Sequence, residues 1–214
     1  MASTIAARKI KLHDLKTKFG LRLVQDESLF SERAEALPDV SQLEKSALDR
    51  IKRNYLYLLE YPVMESIVKM VVLSPLLDIA GFYEPPFRID GERNIKVSAE
   101  DEGEVIQGCI DVVVIQDRLW VTTIEAKNSE FSITKAIPQT LAYMLAAPDE
   151  PAPAFGVVMN GSEFLFLKLV QGDTPQYATS NLFSLLNRGN DLYSVLSVLN
   201  RFKKLVQANS QRGK

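Results

Sequence analysis

The stretch GCIDVVVIQDRLWVTTIEAKN, residues 108–128, decides the fold that we expect of this chain. Together with the residues just before it, it forms two β-rich runs, Val105–Ile115 and Leu119–Ala126. A short polar turn at Gln116–Arg118 separates them, as in a β-hairpin. Because β-branched residues fill both runs, the sequence predicts two buried, paired strands at the centre of the molecule.

Three charged residues enter this predicted hairpin. Asp111 interrupts the otherwise apolar first strand, and Glu125 and Lys127 lie two residues apart, on one face, at the end of the second. A charge in a buried strand is costly unless it is paired or binds a metal ion. We therefore expect these residues to form a functional site. The alternative is a cross-strand salt-bridge cluster at a sheet edge.

The length of the turn decides whether the two acids meet. A three-residue loop at Asp117–Leu119 pairs Gln116 with Trp120. Asp111 then lies directly opposite Glu125, with Cβ atoms about 4.5–5.5 Å apart. A two-residue loop instead turns Asp111 away from Glu125. We predict the three-residue loop, or a bulge that gives the same alignment.

Two carboxylates at this distance repel each other unless a cation lies between them. Oxygen ligands without His or Cys favour Mg²⁺, and Mn²⁺ is the expected substitute. Such an ion polarises a phosphoryl oxygen and activates a bound water molecule. Lys127 can orient that water or stabilise charge on the phosphate. The residues thus predict metal-assisted hydrolysis of a phosphodiester.

Composition excludes several other classes of protein. The single Cys and single His rule out a disulfide scaffold, a Cys/His zinc site and a two-His metalloprotease. The net charge of −2 means that any nucleic acid must be held by a local basic patch, such as the Lys-rich amino-terminal segment. With no phosphate-binding glycine motif in the sequence, we do not expect hydrolysis of a bound nucleotide. With no membrane-spanning run or signal peptide either, we expect a cytoplasmic protein away from membranes.

Periodicity along the rest of the chain predicts a mixed sheet flanked by helices, α/β or α+β, with one core. We expect one domain, 1–214, with an amino-terminal extension (1–40), a core (41–171) and carboxy-terminal helices (181–208). The main predicted elements are a possible strand at Phe19–Val24, a helix capped by Ser41 and Glu44, a helix from Pro62 that Pro75 ends or kinks, strands Phe87–Asp90 and Asn94–Ser98 around a turn at Gly91, a helix at Ser132–Ala147, and a hairpin at Asn160-Gly161.

The spacing of these residues resembles a known superfamily. Asp111 followed by Glu125-Ala126-Lys127 on the next strand is similar to the PD-(D/E)xK nucleases. Gln139 and Tyr143 match the Q-x-x-x-Y motif of their RecB-like and type I restriction branches. The stretch 65–169 is similar to the amino-terminal nuclease domain of type I restriction enzyme R subunits. The resemblance implies a restriction-endonuclease-like fold.

The resemblance also implies roles for individual residues. It implies metal binding by Asp111, Glu125 and the Ala126 carbonyl, and Lys127 as the catalytic lysine. Glu65 would be an accessory metal-site residue, although Glu65 and Lys69 also form an ordinary i, i+4 pair. Gln139 and Tyr143 would position DNA or active-site groups, although a tyrosine at helical spacing is also typical of a core. Ile110 stands where the family often has proline.

The sequence therefore predicts a Mg²⁺-dependent DNA nuclease, with endonuclease action as the first expectation. The sequence shows no helicase motor, so we expect a stand-alone nuclease or one that works with a helicase or specificity subunit. A homodimer would suit double-strand cleavage. The alternative is a non-catalytic DNA-binding or assembly module that keeps the nuclease fold. A nuclease for RNA or branched DNA is a third hypothesis.

Overall fold

A computed structural model describes residues 4–25, 39–99, 104–115, 119–123, 133–146 and 153–212 of the chain. Within these ranges, nine strands form one mixed sheet, and helices cover both of its faces. The strands are β1 (Thr4–Ala6), β2 (Arg22–Leu23), β3 (Arg88–Ala99), β4 (Glu104–Ile115), β5 (Leu119–Thr123), β6 (Ala154–Met159), β7 (Glu163–Val170), β8 (Gln176–Thr179) and β9 (Phe183–Ser184). The helices are α1 (Leu12–Phe19), α2 (Gln42–Leu58), α3 (Glu65–Val68), α4 (Ser74–Ile79), α5 (Ile137–Leu145) and α6 (Leu192–Arg212). The predicted helix-flanked mixed sheet is confirmed.

The sheet follows the order β1-β4-β5-β6-β7-β8-β2, with β3 on the other side of β4 and β9 paired with β7. Parallel pairs join β5 to β6 and β2 to β8, while β4 pairs with β3 and β5 in antiparallel directions. The amino-terminal strand β1 lies parallel to β4. The first 25 residues thus add strands to both ends of this order.

Two apolar clusters form the core, one on each face of the sheet. On the first face, Phe155 and Val157 of β6 pack with α2, α4 and α6, and the Phe155 and Phe202 rings stack at 4.1 Å. On the second face, Val158 of β6 packs with α1 and α5. Because neighbouring residues of a strand face opposite ways, β6 serves both clusters and is buried along its whole length.

Helix α2 begins where the sequence predicts it to begin. The Ser41 hydroxyl accepts a hydrogen bond from the Glu44 backbone N–H, and the Glu44 carboxylate accepts one from the Ser41 N–H. Hydrogen bonding of the Glu44 carboxylate by the Ser41 side chain, and then by the Ser41 N–H, lowers the pKa of Glu44 below its usual value. The capping box therefore fixes the start of the helix.

The next helix begins later than predicted, at Glu65 and not in the turn of Pro62. Of the two effects predicted for Pro75, an end or a kink of the helix, the end is not seen. Residues Lys69–Leu73 instead form a π-helical turn, after which α4 continues to Ile79. Proline lacks the N–H of the normal helical ladder and its ring crowds the preceding turn. A wider turn just before the proline lets the chain continue.

Other predictions are confirmed or corrected along the chain. Pro138 lies in the first turn of α5, where proline is tolerated, and the Asn160-Gly161 hairpin joins β6 to β7. By contrast, residues Arg88–Ala99 form one strand that runs through Gly91 without a turn. The stretch before Leu192 holds the short strands β8 and β9, so the prediction of helix from residue 181 is wrong there. The predicted division into sections of one domain stays a prediction.

Candidate functional site

The pairing of the central strands differs from the predicted register. Val113 of β4 lies opposite Trp120 of β5, where the prediction placed Gln116. Neither register considered from the sequence matches this pairing. Residues 116–118 and the segment that holds Glu125, Ala126 and Lys127 lie outside the described residues, so the predicted contact between Asp111 and Glu125 stays a prediction.

The pairing of described strands fixes the face of the sheet on which Asp111 lies. Val157 of β6 belongs to the first cluster, Val121 of β5 pairs with Val157, and Val112 of β4 pairs with Val121. Directly paired positions share a face, so Val112 is on the first face. Its neighbour Asp111 is therefore on the second face, the one that α5 covers.

Helix α5 brings the two predicted positioning residues together. The Gln139 side-chain amide donates a 2.7 Å hydrogen bond to the Tyr143 hydroxyl. Tyr143 is buried in the second cluster, 1% exposed, and Gln139 is half-buried beside it. The helix packs against β3, β5, β6 and β7. The Gln139–Tyr143 pair is thus held on the same face of the sheet as Asp111.

Glu65 occupies a different environment. It is the first residue of α3, and its carboxylate pairs with the Lys69 ammonium at 2.6 Å. One turn further on, Val68 packs into the first cluster, across the sheet from α5. The described residues therefore give Glu65 the ordinary i, i+4 partner, and its role as an accessory metal-site residue stays a prediction.

The strand pairing adds an acid that the sequence analysis missed. The pairs Gly91↔Val112 and Arg93↔Ile110 place Glu92 of β3 opposite Asp111. Opposed positions of an antiparallel pair have Cβ atoms about 4.5–5.5 Å apart on one face. The even positions of β3 are all polar, which is the signal that marks this face: Arg88, Asp90, Glu92, Asn94, Lys96 and Ser98. The sequence analysis missed this alternation because it predicted a turn at Gly91 in place of one continuous strand.

The donor types at these positions suit a hard divalent cation. Asp111 and Glu92 supply carboxylates at opposed positions of neighbouring strands, and like charges so placed need a counter-charge. Oxygen ligands of this kind fit Mg²⁺ or Mn²⁺. Among the side chains that the structure describes, no three His, Cys, Asp or Glu groups form a metal cluster. The Asp111 and Glu92 side chains are not among them.

Comparison with known proteins identifies the family. The family model for the N terminus of the type I restriction enzyme R protein matches residues 25–174, more than half of the chain. No curated protein matches the chain. In the described part of the chain, no helix has the length and apolar character needed to cross a bilayer. The chain belongs to the family of type I restriction enzyme R protein N-terminal domains.

Proposed function

We propose that this protein is a Mg²⁺-dependent deoxyribonuclease that hydrolyses phosphodiester bonds, with endonuclease action. The observation that carries the proposal is the position of Asp111 in the middle of β4, on the face where α5 holds Gln139 and Tyr143. Membership in the restriction-enzyme family supports a nuclease in general terms. The metal ion, the substrate and the individual roles belong to the proposal.

Asp111, Glu125 and the Ala126 carbonyl are the proposed metal ligands, and Glu92 supplies a further carboxylate opposite Asp111. When bound, Mg²⁺ supplies Lewis-acid polarisation of a phosphate oxygen. The Lys127 ammonium donates hydrogen bonds to a non-bridging phosphate oxygen, which counters the negative charge that develops there. Tyr143, fixed by Gln139, positions the substrate on the α5 face. Water adds to phosphorus as one P–O ester bond breaks; the attacking water releases a proton to solvent, and the leaving oxygen takes up a proton from solvent.

The proposed metal site requires a particular local structure just after β5. Thr123 pairs with Met159, which belongs to the first cluster. With regular alternation, Glu125 would also be on that first face, away from Asp111. One additional residue, as in a β-bulge, moves a carboxylate to the other face. The proposal therefore requires such a bulge between Thr123 and Glu125, and a metal-bound crystal structure would test it.

Cleavage of supercoiled plasmid tests the proposed activity. The wild-type chain with Mg²⁺ or Mn²⁺ should nick or linearise the plasmid, and EDTA should stop the reaction. Asp111→Asn and Lys127→Gln should each lower the rate by at least about 10³-fold, since each group contacts the metal ion or the phosphate. Asp78→Asn, an exposed acid on α4, is the matched control. Equal rates in Asp111→Asn and wild type would refute the proposal.

The non-catalytic module is the second candidate function. The register of the described strands favours it, because regular alternation separates Asp111 from Glu125. Such a module would bind DNA or a partner subunit without cleaving it. Absence of cleavage by wild type with either ion, together with unchanged Mn²⁺ affinity in Asp111→Asn, is the result that this candidate predicts.

A further inference from the structure

A groove of about 610 Å³ lies at the β2 end of the sheet, between α1 and the pair β2–β8. Its cationic or protonatable lining residues are His13 and Lys16 of α1 and Arg22 of β2, all exposed. Tyr177 of β8 also lines the groove and is 7% exposed. The groove therefore combines cations at an open surface with an aromatic wall.

The backbone fixes the position of these side chains. The Arg22 N–H donates to the Pro175 carbonyl at 2.9 Å, and the Val24 N–H donates to the Tyr177 carbonyl at the same distance. These bonds pair β2 with β8, so Arg22 is held on a strand. Across the groove, the buried Leu15 anchors α1 in the second cluster. The cations are thus presented from two packed elements.

Positive charge is concentrated in the segment that forms the groove. Residues 8–22 contain six Lys and Arg residues and one acid, Asp14, whereas the whole chain has a net charge of −2. The Asp14 carboxylate accepts a hydrogen bond from the Lys11 N–H, so it is committed to the start of α1. No carboxylate lines the groove in the described residues. A local positive field on an acidic protein selects for a polyanionic ligand.

We propose that this groove binds the phosphate backbone of duplex DNA outside the cleavage site, an inference that rests on the proposed nuclease function. Five strand spacings separate β2 from β4 in the sheet order, about 24 Å. At about 3.4 Å per base pair, one duplex meets both places about seven base pairs apart. Lys16 and Arg22 neutralise backbone phosphates at the groove.

Fluorescence anisotropy with the full chain and a labelled duplex of about 20 base pairs, in EDTA, measures binding without cleavage. Lys16→Gln with Arg22→Gln removes two phosphate contacts, so DNA affinity should fall by roughly 60-fold at 0.1 M salt. The slope of the logarithm of the DNA binding constant against the logarithm of salt concentration should become about 2 units less steep. The control is Arg188→Gln with Lys204→Gln, two exposed cations in the loop before α6 and on α6, the helix that covers the first face. The control should bind as wild type.

The outcomes separate this proposal from the proposed function. The groove variant is the double variant Lys16→Gln with Arg22→Gln. If its DNA affinity is unchanged, or if the control loses as much affinity, the proposed DNA binding by the groove is wrong, even if wild type cleaves DNA. If the groove variant loses DNA affinity but wild type does not cleave, the groove stands and the nuclease proposal fails. If the groove variant loses binding to phosphatidylserine vesicles while its DNA affinity is unchanged, the proposal that the groove binds DNA is also wrong. Urea unfolding of each variant confirms that it is folded.

Discussion

At the scale of single residues, the polar face of β3 and β4 is the feature with most consequence for function. Asp111 and Glu92 occupy opposed positions there, and Tyr143 belongs to α5, the helix that covers the same face. Two carboxylates so placed repel each other unless a cation lies between them. Conservative substitutions separate the proposed contributions of these residues to metal binding and to cleavage.

Glu92→Gln removes one negative charge from the strand pair while keeping size and hydrogen bonding. If Glu92 supports the metal ion, Mn²⁺ affinity should fall by about 10- to 100-fold, and cleavage at low Mg²⁺ should fall with it. Isothermal titration with Mn²⁺ measures the change. Glu84→Gln, at an exposed position just before β3, should leave the affinity unchanged. Equal affinities for Glu92→Gln and wild type would exclude Glu92 from the site.

Tyr143→Phe removes the hydroxyl that accepts the Gln139 hydrogen bond. We expect the free energy of unfolding to fall by about 1 kcal/mol, the net value of one hydrogen bond. If Tyr143 has its proposed role in positioning the substrate, cleavage should fall by about tenfold or more. Tyr193→Phe loses a comparable bond to Asp49 on the other side of the sheet and should keep full activity. Equal activity in both variants would make Tyr143 a core residue only.

The sequence predicted the Asp111 strand and the Gln139–Tyr143 helix because each lies in a long segment of clear periodicity. It missed Glu92 because Gly91 was interpreted as a turn, which split one strand into two. It also placed Trp120 opposite Gln116, not Val113. A register depends on what packs across the sheet, here Gly156 beside Trp120, and turn length alone does not determine it.

At the scale of elements, the β6–β7 hairpin shows how a helix and a turn constrain each other. Gly161 has a φ of +97°, and a Cβ there would lie 2.9 Å from the Tyr55 hydroxyl of α2. Both the backbone conformation and the contact therefore require glycine. The Asn160-Gly161 turn was predicted from its sequence, whereas its contact with α2 depends on tertiary packing.

Gly161→Ala tests that contact. Gly20→Ala is its matched control, because Gly20 also has a positive φ but no atom lies within 4 Å of an added Cβ. Gly20→Ala should cost about 1–2 kcal/mol in the free energy of unfolding, and Gly161→Ala about 1–3 kcal/mol more. Urea unfolding measures both. Equal losses would show that Tyr55 does not restrict the hairpin.

The loop before α6 is tied to α2 by Asp49. Its carboxylate accepts hydrogen bonds from the Tyr193 hydroxyl at 2.7 Å and the Asn190 amide at 2.9 Å. These bonds lower the pKa of Asp49, with the tyrosine bond the larger cause, and the Asp49 bond raises the pKa of Tyr193. A lowered carboxyl pKa stabilises the fold above the unfolded-state pKa. That stability is lost as pH falls through the folded-state pKa.

Asp49→Ala should therefore lower the free energy of unfolding by about 1 kcal/mol at pH 7, the net value of a typical hydrogen bond. The difference from wild type should shrink below about pH 4, where the carboxyl becomes protonated. Urea unfolding between pH 7 and pH 2.5 gives the two curves. Asp78→Ala, on exposed α4 surface, is the control. A difference that stays constant with pH would show that the charge of Asp49 does not matter.

At the scale of the whole molecule, the two faces of the sheet differ in what packs against them. The first face carries the larger apolar cluster, while the second carries α1, α5 and the Asp111 position. The helix-flanked mixed sheet was predictable, because the long helices and strands have clear periods. The short strands β8 and β9 were not, since two to four residues give too little alternation. Their pairing with neighbouring strands, β7 and β2 for β8 and β7 for β9, depends on the tertiary fold.

The central claim of the proposed function is that Asp111 of β4 and Glu125, two residues after β5 in the sequence, hold one divalent ion. Calorimetric titration of the full chain with Mn²⁺ tests it most directly, with Asp111→Asn, Glu125→Gln and their double variant. We predict that each wild-type chain binds one Mn²⁺ ion and that each single variant binds it at least about tenfold more weakly. The double variant should lose little further affinity, since ligands of one ion do not act additively. Wild-type affinity in either single variant would contradict the claim.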